Sequence, residues 1–164
     1  MTAAMRRSGP LYWDVVASPL GALVLVVDAQ MRLVELRLDG THPHGTRAAA
    51  QCAAARRQIR EYFRGERRRF DLELNPSGTE FQRRVWRALS EIGYGEVCNY
   101  ADIARRIGKP GAARAVGQAN GANPIPIVIP CHRVIAADGS IGGYSGGLAT
   151  KKRLLALEGR RLAA

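Results

Sequence analysis

The sequence predicts an α+β protein: a small N-terminal β-sheet lobe with a helix, followed by a mainly α-helical C-terminal domain that contains a helix-turn-helix. Three observations lead to this fold class. β-rich runs fill the first third of the chain, helical periodicity begins only after an Asn-Pro-Ser-Gly turn at residues 75–78, and 46% of the 164 residues are apolar. We therefore expect a lobe of residues 1–76 and a domain of residues 77–164.

The N-terminal lobe is predicted from β-branched and alternating residues. We expect three strands, at residues 12–16, 22–27 and 33–38. Apolar residues on one side of residues 48–64 predict a helix, and Gly65 is a plausible end for it. Alternation over residues 70–74 predicts one more strand before the turn.

The C-terminal domain has helical spacing from its first residues. Ser77 and Glu80 have capping-box spacing, and the apolar residues that follow predict a helix to Ile92. Two short helices are expected at residues 100–107 and 112–119, joined by a glycine-containing turn, which is the pattern of a helix-turn-helix. That pattern alone is weak, because many helical hairpins share it.

The rest of the C-terminal domain contains three prolines and several glycines. Residues 125–129 form a buried apolar run, but the prolines around it argue against a central strand. Thr150 has the chemistry to cap a last helix that runs to Glu158.

The charge of the chain indicates a polyanionic partner. Lys and Arg number 25 against 14 Asp and Glu, which gives a net charge of +11. The excess is +4 over residues 1–76 and +7 over residues 77–164, so the larger share lies with the helix-turn-helix. Nucleic acid is the favoured partner. Anionic lipid and an arginine-biased composition are the alternatives.

The cysteines and the hydropathy pattern exclude several classes. Cys52, Cys98 and Cys131 are odd in number and widely spaced, so they predict neither a disulfide framework nor a zinc site. We expect no metal. No apolar run approaches the length of about 18 residues that a membrane helix needs, and no signal peptide is recognisable. These features favour a cytoplasmic protein with no membrane association.

Cys131 is the first candidate for chemistry. It follows the buried apolar run and Pro130, and it precedes His132. A reactive thiol needs a base or a cation nearby, and a histidine base is usually oriented by a carboxylate. Glu158, beside Leu154 on the last predicted helix, is a candidate for that carboxylate. An inert buried thiol is the alternative.

Five segments in one order carry a resemblance to a known family. They are residues 94–96 with Tyr100, residues 113–117, residues 123–134, residues 143–147 and residues 154–159. All five lie within residues 79–160, and they resemble segments of the O6-alkylguanine-DNA alkyltransferases. The first resembles that family's approach to the first short helix, and the second resembles its recognition helix. The third resembles the active-site signature, the fourth the glycine-rich loop, and the fifth the last helix. Residues 1–76 match that family only in general character.

The resemblance implies a single-turnover transfer that needs no cofactor. Cys131 would take the alkyl group from O6 of guanine irreversibly, and O4-alkylated thymine would be a second substrate of the same kind. His132 would remove the thiol proton through a water molecule, and Glu158 would orient that histidine. Tyr100 would donate a proton to the departing base. One alkyl group would thus be transferred per protein molecule.

The resemblance also implies a pocket for the base. Ser145 matches a loop residue that hydrogen-bonds the guanine oxygen, and Tyr144 matches a wall of the pocket. Asn123 matches a hinge asparagine that ties the helix-turn-helix to the active-site segment. Backbone carbonyls near Cys131 and Val134 would accept from the exocyclic amine of guanine.

For DNA the resemblance implies base flipping, because a base inside a duplex cannot reach a buried thiol. Arg114 matches a finger that fills the vacated stack while its helix lies in the minor groove of double-stranded DNA. The small residues Ala113, Ala115 and Gly117 would allow close approach, and Tyr100 would contact the flipped nucleotide. The protein is expected to act as a monomer, with cooperative binding along DNA as a further expectation.

Three other functions compete with this interpretation. A non-catalytic damage binder of the alkyltransferase-like type usually has tryptophan in place of Cys131. A helix-turn-helix regulator would leave the Cys-His-Glu set unexplained, and a cysteine hydrolase would need a glycine-framed nucleophile elbow. Two departures from the family pattern are Gly93, where proline is usual, and Asn99, where serine is frequent.

Overall fold

A computed structural model describes residues 9–162 of the chain. These residues form two compact units, which separate between Ser77 and Gly78. The first unit contains a β-sheet and one helix, and the second is mainly helical. The predicted α+β class is therefore confirmed. No helix among the described residues is long and apolar enough to cross a membrane.

The sheet of the first unit has four strands. They are β1 (Tyr12–Ser18), β2 (Gly21–Val27), β3 (Leu33–Arg37) and β4 (Thr46–Arg47). Their spatial order is β3-β2-β1-β4. β1 and β2 form an antiparallel hairpin, β3 pairs antiparallel with β2, and β4 pairs parallel with β1. The three long strands lie close to the predicted ones, whereas no strand was predicted at β4.

One side of this sheet forms an apolar cluster. Val24, Val26 and Val34 are fully buried and pack together. The helix α1 (Ala53–Phe63) packs on β1 and buries Ile59 completely. Burying a valine or isoleucine side chain stabilises a fold by roughly 1.5–3 kcal/mol, so such contacts dominate the stability of a lobe this small.

Two predicted elements of the first unit differ in the structure. The helix begins at Ala53 rather than at residue 48, because the N–H of Ala48 donates to the Trp13 carbonyl at 2.9 Å and extends the β4 pairing. Residues 70–74 form only an isolated bridge to β3. Both backbone groups of Asp71 bond instead to the side chain of Gln58, at 2.8 and 2.9 Å. A side chain thus replaces the expected strand partner.

The described part of the second unit contains four α-helices, one 3-10 helix and one pair of short parallel strands. These are α2 (Glu80–Ser90), β5 (Cys98–Asn99), α3 (Tyr100–Arg106), α4 (Ala113–Gly121), a 3-10 helix (Cys131–Arg133), β6 (Val134–Ile135) and α5 (Leu148–Leu157). Helices α2, α3 and α4 pack against one another, and β5 pairs with β6. α3 and α4 are the predicted helix pair, shifted by one or two residues at their ends.

The caps of the helices differ from the prediction at two points. The capping box of α2 is formed by Thr79 and Gln82, not by Ser77 and Glu80: the Thr79 hydroxyl accepts from the Gln82 N–H at 3.1 Å, and the Gln82 side chain accepts from the Thr79 N–H at 2.9 Å. α5 begins at Leu148, so Thr150 lies inside the helix and does not cap it.

The Thr79 cap leads to a stability prediction. We expect Thr79→Ala to lower the free energy of unfolding by about 1 kcal/mol, because it leaves an N–H of the first turn without its acceptor. Ser77→Ala is the matched control and should change the stability by less than about 0.5 kcal/mol. Urea denaturation of both variants measures the difference. Equal losses in the two variants would contradict the assignment of the cap.

Asn99 takes a definite role as the N-cap of α3. Its side chain accepts from the Asp102 N–H, and the Asp102 carboxylate accepts from the Asn99 N–H, both at 2.9 Å. Asparagine and serine are about equally good N-cap residues. The departure from serine at this position therefore preserves the start of α3.

Candidate active site

The segment that leads to Cys131 is irregular and buried. Ile125, Ile127 and Ile129 are at most 2% exposed. Ile127 has φ of +75°, a left-handed conformation that is rare for a β-branched residue. Asn123 braces the segment, because its Nδ2 donates to the Ile129 carbonyl at 2.8 Å and its Oδ1 accepts from the Ile125 N–H at 2.9 Å. The Asn123 side chain thus helps to hold the conformation before the cysteine, together with the backbone bond from the Ile129 N–H to the Ile125 carbonyl at 2.9 Å.

Cys131 begins the 3-10 helix and is 2% exposed. Its N–H donates to the Ile129 carbonyl at 2.8 Å, and its carbonyl accepts from Asn120 Nδ2 at 3.5 Å. Burial raises the pKa of the Cys131 thiol above its ordinary value; hydrogen bonding with Asn123 and Tyr144 lowers that pKa, but by less. The sulfur is therefore a thiol at neutral pH, and a base has to remove its proton before it can act as a nucleophile.

His132 and Glu158 form a fully buried pair. The imidazole Nε2 lies 2.8 Å from Glu158 Oε1, and neither side chain is exposed. Burial lowers the pKa of His132 below its ordinary value, although the bond to Glu158 acts in the opposite direction. A neutral imidazole that donates from Nε2 keeps a lone pair on Nδ1. Nδ1 is buried and has no partner among the described residues, so it is free to accept a proton.

Arg133 binds the same carboxylate and was missed in the sequence. Its Nε donates to Glu158 Oε2 at 2.9 Å and its Nη2 to Oε1 at 2.8 Å, while Nη1 donates to the Ile92 carbonyl at 2.6 Å. Burial raises the pKa of Glu158, but the bonds from His132 and Arg133 outweigh it and lower the pKa to about 2. The carboxylate is thus ionised throughout the neutral range and needs both partners.

The segment at Tyr94 completes this network. Gly95 has φ of +76°, and its N–H donates to Glu158 Oε2 at 3.3 Å. Tyr94 donates from its hydroxyl to the Leu157 carbonyl at 3.1 Å, and its ring lies 5.9 Å from the Arg133 guanidinium. Glu158 itself lies one residue beyond the end of α5. The Tyr-Gly motif therefore holds the end of α5 in place.

Tyr100 is the first residue of α3 and lies within electrostatic reach of Cys131. Burial raises the pKa of the Tyr100 hydroxyl, and a negative charge on Cys131 raises it further. A Cβ atom at position 117 would lie 3.8 Å from the Tyr100 ring. Gly117 of α4 therefore leaves room for the aromatic ring beside the site.

The glycine-rich loop (residues 136–147) carries Tyr144 and Ser145. The Tyr144 hydroxyl oxygen is buried and has no geometrically satisfactory hydrogen-bond partner among the described residues. Burial and the proximity of Cys131 both raise the pKa of Tyr144. Ser145 is exposed. Of these two residues, only Tyr144 belongs to the buried cluster.

Lys151 is a second residue that the sequence reasoning missed. It lies in the first turn of α5, is fully buried, and donates from Nζ to the carbonyls of Val134, Ile141 and Gly143 at 2.6, 2.5 and 3.1 Å. Burial lowers its pKa to about 8. One signal in the sequence could have identified it: Lys151 lies three residues before Leu154, and this spacing places a lysine on an apolar helix face.

The outer face of α4 is open and small. Arg114 and Ala115 are exposed, Ala113 and Gly117 are half-buried, and Val116 packs inward. The indole of Trp86 on α2 donates to the Ala119 carbonyl at 2.9 Å and anchors the inner face of α4. An arginine projecting from a helix with small neighbours can approach a nucleic-acid groove closely.

Comparisons with known proteins cover nearly the whole chain. A family described as 6-O-methylguanine DNA methyltransferase, DNA binding domain, matches residues 80–160, and one described as 6-O-methylguanine DNA methyltransferase, ribonuclease-like domain, matches residues 11–76. The methylated-DNA–protein-cysteine methyltransferase of Mycolicibacterium paratuberculosis is 51% identical over 152 residues, which are 90% of this chain and 92% of the relative. That of Methanosarcina barkeri is 44% identical over 93% of this chain and 99% of the relative.

Two solved structures have the same fold. The Mycobacterium tuberculosis OGT in complex with DNA is 47% identical, with a TM-score of 0.84 over 90% of this chain and 92% of that one. The O6-methylguanine-DNA methyltransferase of Pyrococcus kodakaraensis is 26% identical, with a TM-score of 0.62 over 92% and 99% of the two chains. Both units of this chain therefore have counterparts in proteins of known structure.

Proposed function

This chain belongs to the 6-O-methylguanine DNA methyltransferase family, and from that premise we propose that it repairs O6-alkylated guanine in duplex DNA by moving the alkyl group irreversibly to Cys131. One observation carries the proposal: a buried cysteine directly precedes a buried histidine whose second nitrogen bonds to a carboxylate at 2.8 Å. A cysteine, a base and an orienting acid are the parts that activate a thiol.

The transfer begins with the thiol proton. His132 Nδ1 accepts that proton from Cys131 through one water molecule, and Glu158 stabilises the imidazolium that results. The thiolate then attacks the alkyl carbon, so that a sulfur–carbon bond forms while the carbon–O6 bond breaks. Tyr100 protonates the guanine as the electron pair arrives, and the proton held by His132 restores the tyrosine through water. Protons and charges therefore balance when the transfer is complete.

The product explains why each molecule acts once. S-alkylcysteine is a thioether, and the groups assigned to the site include no second nucleophile to displace the alkyl group from it. O4-alkylated thymine presents the same kind of alkyl–oxygen bond on an aromatic ring. We include it as a second substrate on that chemical ground.

The pocket for the base is assigned to residues around the thiol. The carbonyls of Cys131 and Val134 accept from the exocyclic amine of guanine. Tyr144 forms a wall of the pocket. Ser145 donates to guanine O6, and Asn123 keeps the segment before the cysteine in place.

DNA is held through the exposed face of α4 in the minor groove. Arg114 fills the space of the flipped nucleotide, and Ala113, Ala115 and Gly117 let the helix approach the groove. The excess of +7 over residues 77–164 supplies phosphate contacts, so affinity should fall as salt rises. We propose a monomer as the active form, with cooperative binding along DNA.

The mass of the intact protein tests the transfer. Incubation with duplex DNA that contains O6-methylguanine should add one methyl group per molecule, on the peptide that carries Cys131. Undamaged duplex of the same sequence is the control and should add none. An unmodified protein, or a methyl group on Cys52 or Cys98, would overturn the proposed mechanism.

The finger assignment predicts a difference between two substrates. Arg114→Ala should slow the repair of duplex DNA by about ten- to a hundredfold, because unstacking a base costs a few kcal/mol. Reaction with a free O6-alkylguanine base needs no flipping and should fall much less. Single-turnover rates on both substrates measure this, with Arg153→Ala, an exposed arginine on α5, as the matched control. Equal losses on both substrates would contradict the assignment.

A further inference from the structure

Lys151 is a buried cation that the proposed transfer step does not use. Its ammonium has three N–H donors and no acceptor. Each donor has one backbone carbonyl within 3.1 Å, from Val134 in β6 and from Ile141 and Gly143 in the glycine-rich loop. The side chain therefore ties α5, β6 and the loop to a single nitrogen, and its hydrogen-bonding capacity is filled.

The glycine-rich loop needs such a tie. Gly139, Gly142 and Gly147 have φ of +85°, +69° and +92°, and glycine has more conformational freedom to lose than any other residue. Turns close both ends of the loop: the Ala136 N–H donates to the Ser140 carbonyl, and the Gly147 N–H donates to the Tyr144 carbonyl, both at 3.0 Å. Lys151 fixes the carbonyls that lie between these turns.

The tied part of the loop lies beside the reactive groups. Gly142 is adjacent to both Lys151 and Tyr100, because a Cβ at Gly142 would lie 3.8 Å from Lys151 Nζ and 3.8 Å from the Tyr100 hydroxyl. Tyr144, whose hydroxyl is buried near Cys131, follows the tied Gly143 directly. A shift of these carbonyls would therefore move a wall of the proposed pocket.

Several charged groups face the ammonium. A thiolate on Cys131 raises the pKa of Lys151, and the Lys151 charge in turn lowers the pKa of Cys131. The same charge lowers the pKa of His132, which is held by Glu158 and lies beside Arg133. Burial outweighs the effect of Cys131 and brings the pKa of Lys151 to about 8.

We propose that the protonated Lys151 is the positioning residue that holds the glycine-rich loop over Cys131, and that loss of its proton in mildly alkaline solution releases the loop and slows alkyl transfer. A neutral amine has two N–H donors and one lone pair. One of the three carbonyls would then face a lone pair instead of a donor. The inference rests on the proposed function for its kinetic consequence, but not for the tie itself.

The pH profile of the transfer rate tests the kinetic part. With duplex DNA containing O6-methylguanine at saturation, the wild-type rate should be level near pH 7 and fall by up to about tenfold per pH unit above about pH 8. Lys151→Met should be at least about tenfold slower at pH 7 and should lose the alkaline decline. Lys152→Met, the exposed neighbour, is the matched control and should keep the wild-type profile.

Two outcomes would overturn the inference. One is a wild-type rate that stays level or rises up to about pH 10, where a lysine with an ordinary pKa would begin to titrate. The other is a Lys151→Met protein that transfers the methyl group as fast as wild type. If the wild-type chain leaves Cys131 unmodified at every pH, the proposed function fails instead.

A second measurement uses the unaltered chain and needs no activity. The sequence has three lysines, so the ¹³Cε resonances of labelled lysine give a simple spectrum. The Lys151 resonance should titrate at about pH 8, below the usual range of a lysine side chain. Hydrogen exchange of residues 136–147 should rise over the same range by more than the intrinsic effect of pH. Titration of Lys151 in the usual range of lysine side chains, or unchanged protection of the loop, would contradict the tie.

Discussion

A Cys131→Ala protein is expected to transfer no alkyl group, yet to bind duplex DNA with the affinity of the parent chain. The substitution removes the only sulfur that the proposed mechanism uses, and the base and acid beside it cannot replace a covalent acceptor. The exposed face of α4 is unchanged, because the cysteine is 2% exposed and lies in a different element. The substitution should therefore abolish alkyl transfer and leave the affinity for duplex DNA unchanged.

Cys98→Ala is the matched control for this experiment. Cys98 is half-buried in β5, and burial raises the pKa of its thiol as well. Its removal should leave one methyl group transferred per molecule. Intact mass measures the transfer, and fluorescence anisotropy of labelled duplex measures the binding at a fixed salt concentration. Residual methylation of the Cys131→Ala protein would show that another residue accepts the group.

Glu158→Gln is expected to have the second large effect, on stability and on rate together. The carboxylate serves His132 and Arg133, and none of the three side chains is more than 7% exposed. An amide leaves the guanidinium buried without its countercharge, and breaking a buried ion pair in this way costs about 3–5 kcal/mol. The imidazole also loses the acceptor that holds its tautomer, so transfer should slow by about 10²–10⁴-fold.

Glu91→Gln is the matched control, because Glu91 is exposed at the end of α2. Urea denaturation measures the stability of each variant, and single-turnover methylation measures the rate. A Glu158→Gln protein with the stability of wild type would mean that the buried ion pair contributes nothing. An unchanged rate would remove Glu158 from the mechanism.

The same carboxylate predicts how stability depends on pH. The pKa of Glu158 is lowered from 4.5 to about 2 in the folded chain. Its stabilising effect is therefore complete above about pH 4.5 and is lost as the pH falls towards 2. The loss amounts to about 3 kcal/mol. In Glu158→Gln this part of the acid dependence should be absent.

Much of the fold followed from local patterns in the sequence. The hairpin strands and α2, α3 and α4 were predictable because their apolar periodicity and turn residues are local signals. Residues 70–74 were not, because the side chain of Gln58 takes the backbone partners that a neighbouring strand would have supplied. The two-residue strand β4 has no periodicity that could be recognised.

The candidate site was predictable in part. Cys131, His132 and Glu158 carry chemistry that is recognisable from residue type and from family resemblance. Arg133 and Lys151 were missed because a charged residue in a sequence is read as exposed, and only the folded chain supplies their acceptors. Arg133 needs the end of α5 and the carbonyl of Ile92, while Lys151 needs three carbonyls from two separate segments.

The burial of Cys131 has a consequence for the lifetime of the protein, because the proposed mechanism consumes one protein molecule per reaction. Oxidants and stray electrophiles attack thiolates that are exposed to solvent. A thiol that is enclosed and protonated at rest resists sulfenic acid formation and accidental alkylation while the chain waits for damage. Under the proposed irreversible transfer, a slower nucleophile is a smaller disadvantage than the accidental inactivation of a molecule. The burial of the sulfur thus protects the thiol from side reactions until a substrate binds.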